Sequence, residues 1–139
     1  MIKHKMIRPY METARAFASL SQAQRKKVGG IAVTPQDVVI YSWNGRPAGD
    51  PNVCEISPEL THPEVLHCES NLVAKAAREG ISLKGSHVFV TLSPCLPCAM
   101  QMFQAGVAGV FYDEEYRLTE GVDFLKRLHV HVEKYEEDV

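Results

Sequence analysis

Apolar positions recur along this chain with two different periods. Between residues 9 and 21, Met11, Ala14 and Ala18 are spaced by three and four, with Phe17 and Leu20 off phase, which predicts a helix that buries one face. Two β-branched runs follow, residues 28–33 and 38–43, and the Thr-Pro-Gln-Asp turn between them makes them a hairpin. Residues 44–62 are rich in Pro, Gly and Asp and read as one long loop, the kind more often functional than idle. Beyond it the pattern predicts a helix over 66–79, a buried strand over 88–92, a helix over 96–105, a strand over 109–112, a helix over 120–128 and a last strand over 130–135. Strand–helix–strand units need crossover connections, and these imply parallel pairing. The expected fold is therefore a three-layer α/β/α sandwich with a mixed five-stranded sheet.

The chain's 139 residues suit one compact domain, taken here as 1–139. No apolar run approaches the roughly 20 residues of a membrane helix, and the charged start MIKHKMIRPYMETARAF lacks a secretory stretch. The expectation is a cytoplasmic protein with no membrane partner. Fifteen basic against seventeen acidic residues leave a formal charge of −2, so no extended nucleic-acid footprint is expected. A small anionic ligand remains compatible, because a local pocket of Arg or Lys does not require a basic whole.

Four cysteines, at positions 54, 68, 95 and 98, are the first chemical signal. In a reducing compartment, cysteines clustered with histidine point to metal or catalysis rather than disulfides. His67-Cys68-Glu69 opens one expected helix, and Pro94-Cys95-Leu96-Pro97-Cys98 opens the next, with 27 residues between His67 and Cys95. Zinc takes imidazole and thiolate ligands in a tetrahedron, and catalytic sites leave one of the four positions open. His67, Cys95 and Cys98 would converge on one such ion if the strands before the two helix starts lie side by side. Glu69, two residues beyond His67, would then reach a water on the ion and move its proton without ligating the metal. Cys68 should leave the helix about 100° away and pack into the core. A second metal at Cys54, with His62 or His4, is conceivable, but isolated loop cysteines rarely bind one.

The ordered pair H-x-E and P-C-x-x-C marks the zinc-dependent nucleobase deaminases. Over roughly residues 25–132 the chain resembles the deoxycytidylate (dCMP) deaminases of the cytidine deaminase superfamily. Beyond the zinc motifs, Arg25-Lys26-Lys27-Val28-Gly29-Gly30 looks like that family's R-x-x-V-G-A strand. Asn44-Gly45-Arg46-Pro47-Ala48-Gly49 is similar to its N-G-x-P-x-G loop, and Asn71 stands where it has Asn after H-A-E-x. Tyr112 to Arg117 resembles its closing Y-x-x-x-Y-R segment. The chain departs from the pattern at Cys68 and Gly30, where the family usually has Ala.

The resemblance implies a cytidine deaminase-like fold, one catalytic zinc, and hydrolysis of dCMP to dUMP and ammonia, with 5-substituted dCMP also conceivable. His67, Cys95 and Cys98 would bind zinc and Glu69 would shuttle protons. The backbone of Cys68 would meet the pyrimidine edge and Asn44 the sugar. Arg25, Lys27, Arg46 and Arg117 are the candidates for the phosphate, and Tyr116 is either pocket wall or core. The family also implies a homo-oligomer, typically a hexamer. The rival readings are a tRNA adenosine deaminase, a free base or nucleoside deaminase, and a zinc-stabilised binding module without turnover. Glu69 separates the enzymes from the module, which has no use for a carboxylate there.

Overall fold

The computed structural model describes residues 2–137, so Met1, Asp138 and Val139, the ends of the expected domain, lie outside it. The chain begins with α1 (His4–Ala18), followed by β1 (Gly29–Val33) and β2 (Val39–Trp43). A small hairpin, β3 (Glu55–Ser57) and β4 (Leu60–Thr61), interrupts the long loop. The chain continues through α2 (Cys68–Glu79), β5 (His87–Leu92), α3 (Leu96–Gln104), β6 (Gly109–Glu114), α4 (Glu120–Arg127) and β7 (His131–Lys134). Helix α1 starts well before Pro9, where the sequence reading began it. Pro9 leaves the Lys5 carbonyl without its helical N–H, at exposed positions where solvent can satisfy it, and the inward face still buries Met11 and Ala14.

The five-stranded sheet runs β2-β1-β5-β6-β7. β1 is antiparallel to both neighbours, whereas β5, β6 and β7 are parallel. The expected mixed sheet with helices on both faces is thus the observed one. Alternation along the strands divides the core. Ala32, Val88, Val90 and Val110 face the layer of α2, α3 and α4, whereas Ile31, Val33, Phe89 and Phe111 face α1. At Gly29 an added Cβ would stand 2.3 Å from the Ala14 carbonyl oxygen, so the missing side chain is what lets α1 seat on the sheet. No described helix is long and apolar enough to cross a membrane.

Candidate active site

Because β1 runs against both neighbours, its amino end lies beside the carboxyl ends of β2 and β5. The strands leading to α2 and α3 are therefore not adjacent, as the sequence reading required; β1 stands between them. Convergence survives because both helices start at the same end of the sheet and pack against each other. His67 and Cys95 hold equivalent places, each the N-cap of its helix with extended backbone (φ −66°, ψ 154° and φ −70°, ψ 168°). Neither side chain caps its helix. Both are free to meet in front of the two helix starts, where partial positive charge favours thiolate. Cys98 comes from the first turn of α3.

His67 Nδ1 lies 3.4 Å from Cys95 Sγ and 3.5 Å from Cys98 Sγ. All three donor atoms fall within 4.8 Å of one another. A tetrahedral zinc with sulfur at about 2.3 Å and nitrogen at about 2.0 Å would hold sulfur and nitrogen about 3.5 Å apart. The residues fit the ion, with Nδ1 as the imidazole ligand. Among the described residues this is the sole metal-competent group of His, Cys, Asp and Glu, and it has three members. Cys54 and His62 do not form a second one. Cys54 is buried, and His62 Nδ1 accepts the Glu64 backbone N–H at 3.0 Å.

The electrostatics favour a cation at this point. A hydrogen bond with Cys98 holds the Cys95 thiol down to about 4, helped by His67 and opposed by burial. Sharing that proton, and being buried, pushes Cys98 up. The hydrogen bond with Cys95 raises His67, against the effect of burial. Glu69 is only 5% exposed, and burial pushes its carboxyl up to about 7. A carboxyl in that range can both take and give a proton near neutrality.

His67, Cys68, Glu69 and Cys95 line one end of a pocket, and Val28, Asn44, Leu92 and Tyr116 line its walls. The exposed Arg25 and Lys26 and the half-buried Glu55 and Thr61 also line it, on its solvent-facing rim. Of the four cations named from sequence, only Arg25 reaches this pocket. Lys27 is exposed and outside the lining. Arg46, with a side chain 12% exposed, braces its own loop through Glu64 at 3.2 Å and the Val53 carbonyl at 3.3 Å. Arg117 lies outside the lining, its guanidinium 5.6 Å from the Tyr116 ring centre. Tyr116 is pocket wall.

Asn44 is already engaged: Oδ1 accepts the Val28 N–H at 2.9 Å and Nδ2 donates to the Lys26 carbonyl at 2.8 Å. One lone pair and one N–H remain for a ligand. Cys68 Sγ turns into the core beside Ser42, with its Sγ 3.2 Å from the Ser42 Oγ, as expected of a packed thiol. Sequence reasoning missed Lys26, Glu55 and Thr61. Lys26 sits in the same basic triplet as Lys27, and only the turn before β1 decides which of them borders the pocket. Glu55 and Thr61 belong to a hairpin too short to leave a periodic signal.

Three side chains able to hold a metal ion and a buried acid beside them define a candidate zinc site built on an α/β/α sandwich. The family model for the cytidine and deoxycytidylate deaminase zinc-binding region matches residues 4–114, and the chain belongs to this family. It is similar to a cyanophage S-TIM5 dCMP deaminase solved in complex with dCMP and dUMP, at 42% identity and a TM-score of 0.92, over 97% of this chain and 100% of that one. It is 25% identical to the ComE operon protein 2 of Bacillus subtilis, with 78% of this chain aligned, and 27% identical to the deoxycytidylate deaminase of Saccharomyces cerevisiae, with 80% aligned. The chain spans 59% and 38% of the lengths of those two curated relatives.

Proposed function

We propose that the protein hydrolyses the 4-amino group of dCMP, yielding dUMP and ammonia. One observation carries this reading: a single pocket is lined by His67 and Cys95 of the metal cluster and by Glu69, and at its rim by Arg25 and Lys26. That layout matches a molecule with an amidine at one end and a phosphate at the other. The cyanophage enzyme with dCMP and dUMP bound supports the same substrate.

His67, Cys95 and Cys98 would hold zinc. When bound, zinc supplies Lewis acidity and lowers the pKa of a water at its open position to about 7. Glu69 accepts a proton from the attacking water and donates it to the ring nitrogen N3. It then carries the second proton to the departing amine, so ammonia leaves and the C4 carbonyl forms. Its burial keeps bulk water from diverting those protons. The Cys68 N–H faces the pyrimidine edge, the spare valences of Asn44 face the sugar, and Tyr116 closes the wall. Arg25 and Lys26 take the phosphate, Arg offering a planar fork and Lys a point charge. Lys27, Arg46 and Arg117 receive no contact in this proposal.

We further propose a cytoplasmic homo-oligomer with nucleotide monophosphates, not nucleic acid, as its ligands. Sedimentation velocity should show a species larger than a monomer. The substrate test is ammonia release from dCMP, deoxycytidine, 5-methyl-dCMP and a tRNA anticodon stem-loop, with and without chelator. The expected result is kcat/KM for dCMP on the order of 100-fold above deoxycytidine, from the lost charge-assisted phosphate contacts. Activity should vanish with chelation and return with zinc. Equal turnover of dCMP and deoxycytidine, or preference for the stem-loop, would contradict it.

A further inference from the structure

The rim of the pocket already holds an anion, and it belongs to the protein. Glu55 Oε2 accepts the backbone N–H of Gln24 at 3.0 Å and that of Arg25 at 3.3 Å. Successive backbone N–H groups converging on one oxygen form a cradle for anions. The Arg25 guanidinium reaches the opposite strand of the same hairpin, with Nη1 donating to Thr61 Oγ1 at 3.0 Å. Lys26 Nζ is likewise held by an acid, Glu114, at 2.5 Å. Glu55, Arg25, Lys26 and Thr61 all line the pocket whose other end is the metal cluster.

The element carrying Glu55 is weakly anchored. β3 and β4 form a separate two-stranded sheet outside the main one, with an irregular register between Glu55 and Ser57. Ile56 and Leu60 project to solvent, and the apolar anchor at this place is Cys54, buried just before β3. Its ties to the 24–25 turn are the Glu55 carboxylate on one strand and the Thr61 hydroxyl on the other. A ligand anion that took the cradle would break the first tie at modest cost.

We propose that Glu55 is an internal occupant of the phosphate seat. Its carboxylate fills the Gln24–Arg25 amide cradle in the free protein and is displaced by the phosphate of the nucleotide. Glu55 thereby determines specificity, because the seat admits only an anion that outcompetes a resident carboxylate. A phosphate monoester can do so. It brings up to two charges and three acceptor oxygens to the amides, Arg25 and Lys26 together. The inference rests on the reading above that the substrate is a nucleoside monophosphate.

The test is calorimetric titration of the zinc-loaded, full-length protein with inorganic phosphate, comparing wild type with Glu55→Gln and Glu55→Ala. Removing the resident charge should tighten phosphate binding by about 3- to 10-fold in both variants, the scale of a partly exposed charge-assisted contact. Sulfate, the weaker competitor, should gain in the same direction. KM for dCMP should fall in parallel. Weaker or unchanged phosphate binding in both variants, or no phosphate binding by any of the three proteins, would overturn the inference. The binding readout needs no turnover. Tighter phosphate binding without deamination of dCMP would therefore count against the substrate assignment and leave the displacement of Glu55 standing.

Discussion

One sulfur sets how β1 and α2 meet beside the metal cluster. Cys68 is 1% exposed, and a Cβ added at Gly30 would stand 2.9 Å from its Sγ. The two residues divide one volume, so Gly30 with Cys68 is a compensated exchange for a pair of alanines. Ser42 Oγ donates to the Cys68 carbonyl at 2.8 Å and ties the first turn of α2, with Glu69, to β2. Burial, and secondarily the charge of Glu69, push the Cys68 thiol up, which keeps it an uncharged packing group. Gly30→Ala alone should cost about 1–3 kcal/mol by overpacking, and Cys68→Ala alone about 1 kcal/mol by leaving a void. The double variant should lose clearly less than the sum, read from urea midpoints of the zinc-loaded protein. Strictly additive losses would refute the exchange.

At the scale of elements, α4 holds the metal turn from behind. A Cβ at Gly121 would stand 2.2 Å from the Pro94 carbonyl oxygen and 2.7 Å from that of Cys95. The first turn of α4 therefore lies directly on the peptide that presents Cys95. Gly121→Ala should weaken zinc retention on the order of tenfold, as loss of support around a metal site typically does. Competition with a chromophoric chelator measures this, and unchanged affinity would contradict it. Gly121 carried no signal in the sequence, because a glycine in the first turn of a helix looks like ordinary punctuation. The starts of α2 and α3 were legible for the opposite reason, since His67, Glu69 and the Cys95–Cys98 spacing are local consequences of one ion's geometry. The rim was not. Whether Lys26 or Lys27 borders the pocket depends on the turn before β1. Glu55 reaches the 24–25 amides across 30 or so residues of chain, a contact no local period encodes. Pro9 reads as a helix start because proline favours the first helical position, yet α1 carries it in its interior, where the orphaned Lys5 carbonyl is exposed to solvent.

The whole molecule is organised around one reversal of strand direction. β1, antiparallel between β2 and β5, sends two helix starts to the same end of the sheet while its own amino end brings Val28 to the pocket. The turn preceding it brings Arg25 and Lys26 to the rim. Helices α2, α3 and α4 form the layer that carries the ligands, and α1 backs the opposite face. The main sheet thus supports the metal end, and the separate β3–β4 hairpin borders the anionic end, within one pocket. In the proposed reaction three ligands would hold zinc while a fourth, non-ligating residue moves the protons. The most direct measurement is zinc content together with dUMP formation from dCMP for wild type and Glu69→Gln. Both proteins should hold one zinc per chain, with the variant slower by about 10²- to 10⁴-fold, the range of a lost general acid–base. A variant that keeps its rate, or that loses its zinc along with its rate, would contradict the account.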